Sequence, residues 1–366
     1  MNKYLFNPDK HDTRGMVSAS QILTYLKCSQ AWKYRYVDKL IPKIDRPVMT
    51  IGKLCHKGLE AVWRIRYQQQ EEDDTFEYDI ESFVDPAMEA MEQLFSEYIS
   101  NNMFLEEEIP YQEETLETAK RVFMHTIYDI NPLQYNVMGI LNAGNIPAVE
   151  LHFVMPCAGS KGMHGFIDVI LQDKKTGNIL CTDFKFRKTL ASDDTEQFNL
   201  QNTIYIKAAA KLGIACTGTM TYQHLNTPPS IPSLTTKGTV SRAKIKTDWN
   251  TYAQFCRDND LDPADYADEM IPKLAEIEWS KKTIEYRNND TIKNIWNRVI
   301  VPSAYSISAK RSKIIPCMFP MNCTIMCDYA GLCQADLRGY DLEYIKQSLF
   351  ISDKNIVDSQ PPDVVK

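Results

Sequence analysis

Two runs of the chain decide its fold: Gly165-Phe166-Ile167-Asp168-Val169-Ile170-Leu171 and Ile179-Leu180-Cys181-Thr182-Asp183-Phe184-Lys185-Phe186, joined by Asp173-Lys174-Lys175-Thr176-Gly177-Asn178. Both runs are rich in β-formers, and the polar, Gly-containing connection reads as a hairpin loop. A hairpin symmetric about Lys175 and Thr176 sets Leu171 opposite Leu180 and Asp168 opposite Asp183. Carboxylates facing each other across a ladder repel, and a sequence tolerates that most readily when a cation sits between them. Lys185 projects from the same face as Asp183, because the strand period is two. Hard oxygen ligands of this kind suit Mg²⁺ or Mn²⁺ better than Zn²⁺. The rival reading is a set of solvent-face charges on an edge strand. Ile167, Val169, Ile170, Leu180, Phe184 and Phe186 oppose it, since they make both strands look buried.

Working outward, the period changes near Ala148, where Val149, Leu151, Phe153 and Met155 alternate as in a strand. Upstream the spacing is helical from Val17 to Trp63, with a turn at Ile41-Pro42-Lys43 and Ser20 as a candidate cap. It is helical again from Asp79 to Tyr128. Downstream a helix is expected from Thr195 to Leu212. On it Gln197, Gln201 and Tyr205 form one stripe, which either grips a phosphate backbone or is an ordinary exposed face. Cys216 to Leu225 is a further strand candidate. The Pro-, Ser- and Thr-rich residues 226–247 read as a flap, Asp248 to Ser280 as helical, and 352–366 as a frayed tail.

Composition bounds these readings. The chain has 366 residues, 44% apolar and 24% charged, which is ordinary for a protein with a sizeable core. A disordered chain, a collagen and a coiled-coil rod are excluded. No apolar run reaches a membrane span, and the polar N-terminus lacks the apolar core of an export signal. The expectation is a cytoplasmic protein without membrane contact. The net charge of -7 does not advertise a nucleic-acid binder. Ten cysteines are too few for a disulfide scaffold in a chain of this length, so they read as thiols and metal ligands. Cys317, Cys323, Cys327 and Cys333 lie close together, and spacing alone makes a four-Cys zinc site the simplest reading. Cys55, Cys157, Cys181, Cys216 and Cys256 read as small core residues. No G-x-x-x-x-G-K-[ST] sequence is present, so the chain carries no phosphate-loop motor.

Taken in order, Gly165-x-x-Asp168, Asp183-Phe184-Lys185 and Gln201-x-x-x-Tyr205 resemble the motifs of the PD-(D/E)XK nuclease superfamily. The narrower likeness is to its RecB-like exonuclease branch, which includes CRISPR-associated exonucleases, AddB-type domains and many phage nucleases. Glu150 at the start of the preceding strand supports it. So does Gly52-x-x-x-His56 with Gly58-Leu59-Glu60, and so does Ser18-Ala19-Ser20-Gln21-Ile22-Leu23-x-Tyr25-x-x-Cys28 continuing to Tyr34-Arg35-Tyr36. These motifs span residues 18 to 333.

The resemblance implies an α/β fold of the restriction-endonuclease type: a mixed sheet flanked by helices, one nuclease domain over 1–366. Its catalytic core would occupy 146–225, with a helical insertion at 65–145. Asp168 and Asp183 would hold Mg²⁺ or Mn²⁺, helped by Glu150, His56 and the Phe184 carbonyl. Lys185 would position the attacking water and offset charge on the phosphate, while Gln201 and Tyr205 orient the strand. Segments 18–40 and 317–337 would be stapled by a 4Fe–4S cluster on Cys28, Cys323, Cys327 and Cys333. The relatives usually begin the C-terminal group with CxxC, whereas three residues separate Cys323 from Cys327 here. Cys317 is therefore held in reserve as a ligand.

The implied partner is DNA, at ends or in single strands, with any helicase or recombinase a separate protein. Lys185, Arg187, Lys188, Lys207 and Lys211 are groove candidates, as are Lys237, Arg242, Lys244 and Lys246 in the flap. Trp32, Tyr34 and Tyr36 are candidates for base stacking, though such residues are more often core. Two rivals stand beside the exonuclease: a non-catalytic DNA-binding or assembly subunit on the same scaffold, and a zinc-stapled structural protein.

Overall fold

The computed structural model of the chain describes residues 15–43, 47–72, 79–101, 104, 106–140, 145–243, 245–309, 314–325 and 327–352. Strands β1 (Val17–Ser18), β2 (Leu40–Pro42), β3 (Tyr135–Val137), β4 (Gly139–Ile140), β5 (Ile146–Pro147), β6 (Val149–Met155), β7 (Met163–Asp173), β8 (Ile179–Arg187), β9 (Gly218–Leu225), β10 (Ser280–Glu285) and β11 (Phe350–Ser352) follow in chain order. Seven of them form one mixed sheet. Its path is β1-β7-β8-β9-β10, with β3 and β6 also on β7. The β8–β9 pairing is parallel and β9–β10 antiparallel. Every residue of β9 is buried, as a central strand covered on both faces requires.

The expected hairpin register is the observed one. Leu171 faces Leu180, and the ladder runs up to Val169 against Thr182. There it stops, one residue before the two aspartates would meet. Instead of facing Asp183 through the backbone, Asp168 accepts the Phe184 N–H on Oδ2 at 2.9 Å. Beyond the splay β8 stays with β9 as far as Arg187, while β7 continues on β6 as far as Met163. Met163 and His164 pair with β6 on one side, so β1, which pairs with the same two residues, must occupy the other. That is the edge β8 has left. Between β1 and β8, residues 165–168 of β7 present an edge without a ladder partner among the described strands.

Helices close both faces. They are α1 (Ala19–Lys27), α2 (Ser29–Trp32), α3 (Pro47–Glu72), α4 (Val84–Asn101), α5 (Ile109–Ile130), α6 (Asp193–Gln197), α7 (Leu200–Lys211), α8 (Trp249–Asp258), α9 (Ala264–Leu274), α10 (Asn289–Ile295), α11 (Val301–Ser308), α12 (Pro320–Ile325), α13 (Ala330–Leu337) and α14 (Glu343–Leu349). One core joins α3, α4 and α5 to a sheet face through Trp63, Phe123, Val149, Val169 and Phe184. The other joins α1, α7 and α11 to the opposite face through Ile22, Leu151, Ile167, Tyr205 and Ala304. The 26-residue α3 runs unbroken past residue 65.

A regular strand would send Val149 and Leu151 to the same face. They enter opposite cores, because Glu150 between them has φ +45°. The α1 cap is Ser18, whose side chain accepts from the Gln21 amide. Ser20, the residue expected there, lies inside the helix. Residues 226–247, read as a flap, carry only the Leu234–Val240 bridge as regular pairing among those described. The tail read as frayed lies outside the described residues from 353 onward.

Candidate active site

The site is built where β7 and β8 part. Asp168 sits at the splay, His56 comes from α3 on one face, and Glu150 comes from the kinked start of β6. Among the described residues, these three form the one group of metal-type ligands whose donor atoms all lie within 4.8 Å of one another. His56 Nδ1 is 3.6 Å from Asp168 Oδ2. Phe184 and Phe186 pack edge-on to the imidazole and hold it against the strand. A left-handed glutamate costs about 1 kcal/mol or more, and here it brings a third donor to the site. Two carboxylates and one imidazole fit a hard divalent ion such as Mg²⁺ or Mn²⁺.

Asp183 stands beside this group with its carboxylate buried. Burial, reinforced by the charge of Asp168, pushes it above the usual carboxylate range, against the pull of Lys185 and His56. Lys185 Nζ lies 2.9 Å from Oδ1 and 2.8 Å from Oδ2, so the i, i+2 spacing places the ammonium astride the carboxylate. Burial alone would lower the lysine, but Asp183 and Asp168 outweigh it and raise its pKa. From the opposite face, Tyr205 is buried. Burial and the charges of Asp183, Asp168 and Glu150 hold its phenol well above its ordinary range, leaving a neutral hydroxyl. Gln201 Nε2 donates to that hydroxyl at 3.1 Å.

The family model of the PD-(D/E)XK nuclease superfamily matches residues 16–334. The chain belongs to that superfamily. No curated protein matches it. PD-(D/E)XK proteins are nucleases that use divalent metals, and the mixed sheet flanked by helices is their fold.

Around the ligands of this PD-(D/E)XK protein the helical expectation needs one correction. α6 ends at Gln197 and α7 begins at Leu200, capped by the Asn199 side chain. Only Gln201 and Tyr205 therefore share a helix face, while the Gln197 carbonyl accepts from Arg287. The break opens a cleft of about 200 Å³ lined by Lys185, Arg187, Glu196, Phe198, Asn199 and Gln201. Arg187 pairs with the buried Glu196 at 3.2 Å, and Lys188 is exposed just beyond β8.

Three other basic candidates are engaged elsewhere. Arg242 binds Glu269 and covers the Tyr266 ring, Lys246 covers Trp279 and Lys207 covers Trp296. Lys244 lies outside the described residues. Trp32 and Tyr34, proposed for stacking, are buried in core positions, and Tyr36 is half-buried under Arg35. The aromatic that does reach the cleft is Phe198. Its only sequence signal is a large apolar residue just before an Asn cap.

The cysteine segments meet at the far end of the chain path. Ser29 exchanges two hydrogen bonds with the Ile315 backbone, and the Tyr34 hydroxyl donates to Asp336 at 2.7 Å. Tyr329 donates to the Leu40 carbonyl, and β2 pairs with β11. Cys28 Sγ accepts from the Ala31 amide. Burial and the neighbouring thiols of Cys28, Cys327 and Cys323 push Cys333 up to about 11. Cys55, Cys157, Cys181 and Cys256 are buried, and Cys216 is half-buried with its sulfur 3.3 Å from Cys181.

Proposed function

We propose that the protein is a metal-dependent deoxyribonuclease of the RecB-like branch, an exonuclease that trims DNA at ends or in single strands during recombination, repair or processing. The observation that carries the hydrolytic reading is the convergence of His56, Glu150 and Asp168 beside the Asp183–Lys185 pair, at the open edge of β7. His56, Glu150, Asp168 and Asp183 would hold Mg²⁺ or Mn²⁺. When bound, the ion supplies polarisation of the phosphoryl oxygen and a lower pKa for its water. Lys185, a permanent cation beside the carboxylates, orients the nucleophile and offsets the charge that develops on the phosphate. The Tyr205 hydroxyl, kept neutral and braced by Gln201, fixes the floor of the site below the substrate backbone. Any helicase or recombinase partner acts as a separate chain, and the bacterial or phage-infected cytoplasm is the compartment this role requires.

The same reading includes a 4Fe–4S staple on Cys28, Cys323, Cys327 and Cys333. Its support is that Cys28 and Cys323 both act on Cys327 and Cys333, which favours Cys323 over Cys317.

The test is incubation of end-labelled single- and double-stranded DNA with Mg²⁺ or Mn²⁺, beside Asp183→Ala. Wild type should degrade at least one substrate, with the variant slower by 100-fold or more. Equal degradation by both proteins, or none by either, overturns the catalytic reading. Purified without oxygen, the protein should be brown and contain iron and sulfide. A colourless zinc protein would overturn the staple.

A further inference from the structure

We propose that Phe198 and Arg187 form a subsite for one unpaired nucleotide, so that the cleft beside Lys185 selects single-stranded ends. The proposal rests on the nuclease reading above and names the form of its substrate. Phe198 is 82% exposed, the most exposed large apolar side chain among the described residues. A phenylalanine ring left in water forgoes roughly 2 kcal/mol of burial, and here the ring lies at the wall of the cleft that also holds Lys185 and Gln201.

Its backbone, by contrast, is clamped on both sides. The Gln197 carbonyl accepts from Arg287 Nη2 at 2.7 Å. Asn199 caps α7 and donates to Glu196 Oε2 at 3.1 Å. Glu196 is 2% exposed and also accepts from Thr221 at 3.2 Å. The residues flanking the ring are thus held by part-buried polar contacts while the ring itself lines the cleft. With the backbone held in this way, only the rotamer of the Phe198 side chain remains to be fixed when a base stacks on it.

Arg187 completes the chemistry. Glu196 holds its guanidinium at the same cleft, and a guanidinium has five N–H donors, more than one carboxylate oxygen uses. The remaining donors suit a phosphate. A base stacked on Phe198, its phosphate on Arg187 and the next phosphate at Lys185 place one nucleotide beside the metal-ligand group. Stacking is indifferent to base identity, because every base has a π-face. Within a duplex both faces of an internal base are already covered by its neighbours, so the platform takes unpaired nucleotides.

Full-length wild type, Phe198→Ala, Phe198→Trp and Arg187→Ala are titrated in EDTA against fluorescein-labelled oligothymidylate and against relaxed, covalently closed circular duplex, which has neither ends nor unpaired bases. Phe198→Ala should bind the single strand about 5- to 100-fold more weakly, with Phe198→Trp retaining affinity and duplex binding unchanged. Arg187→Ala should weaken single-strand binding and flatten its salt dependence. Circular dichroism checks the fold of each variant. Wild-type affinity in Phe198→Ala, an equal loss on single strand and duplex, or no single-strand binding by wild type each overturns the subsite. Cleavage by wild type in Mg²⁺ or Mn²⁺ is read separately. Phe198-dependent binding without cleavage upholds the subsite and removes the catalytic reading.

Discussion

Asp183 is 3% exposed, and Lys185 is its cation in the structure. Removing one partner of a buried ion pair leaves an uncompensated charge, costing about 3–5 kcal/mol when both are fully buried. The half-exposed lysine reduces that figure. Lys185→Ala is therefore expected to lower stability by about 2 kcal/mol and to abolish turnover. Asp183→Asn in the same background should recover part of the lost stability but none of the activity. Urea unfolding of the four proteins in the cycle gives the coupling, and additive effects would contradict the pairing.

A second residue sets a pH limit. His224 is buried on β9, and its Nδ1–H donates to the Leu225 carbonyl at 2.7 Å. Its Nε2 must then accept from His125 Nδ1, 2.8 Å away. Burial and the charge of His125 push the His224 pKa down to about 4. Asp129 pulls the other way on both rings, and Asp248 does so on His125. A histidine depressed on folding contributes stability that is complete above its unfolded pKa near 6.5 and is lost as pH falls toward 4. Unfolding free energy should drop by about 2 kcal/mol between pH 7 and pH 5, and His224→Asn should remove most of that slope.

At the scale of elements, the acidic hairpin was legible because two arms rich in β-formers stand symmetrically about a polar, Gly-containing loop. That pattern predicts Leu171 opposite Leu180, the observed register. It cannot show where the ladder ends. The splay after Val169 goes with β1, from a distant part of the chain, taking the edge of β7 that β8 leaves, and Glu150 reaches the site through a backbone kink that no residue type announces. The α6–α7 break was missed because Gln197, Gln201 and Tyr205 keep helical spacing across it. Gly58 on α3 shows an element-level constraint: a Cβ there would lie 2.8 Å from the Phe123 ring and 3.0 Å from Met91. Both are packed core residues, so neither can move freely. Gly58→Ala should separate α3 from α5 and cost about 1–3 kcal/mol. Because α3 also carries His56, the variant should raise the metal concentration needed for half-maximal activity. An unchanged melting temperature would show that the core yields more easily than close packing allows.

Over the whole molecule, the N- and C-terminal segments are joined by Ser29, Tyr34, Leu40 and the β2–β11 pair. Asp336→Ala strands the buried Tyr34 hydroxyl and should cost about 1–3 kcal/mol, with limited proteolysis then releasing the C-terminal segment more readily. A cluster linking Cys28 to Cys333, about 300 residues apart, would restrict the unfolded chain by about 6 kcal/mol. Iron chelation should accordingly lower the melting temperature further than Asp336→Ala does, and a zinc-free, iron-free protein with an unshifted melt would contradict the staple. The acidic total was the least informative number in the chain, because several of its carboxylates converge at one site. By itself the sequence determined the local patterns: strand period, hairpin register, the order of motifs and the pairing of Asp183 with Lys185, all set by residues a few positions apart. Only the tertiary structure decided which distant donors share a site, where β7 is left open and that Phe198, rather than Trp32 or Tyr34, faces the cleft. Those outcomes depend on which strands compete for one edge and which rings find room in a core, and neither is a property of neighbouring residues.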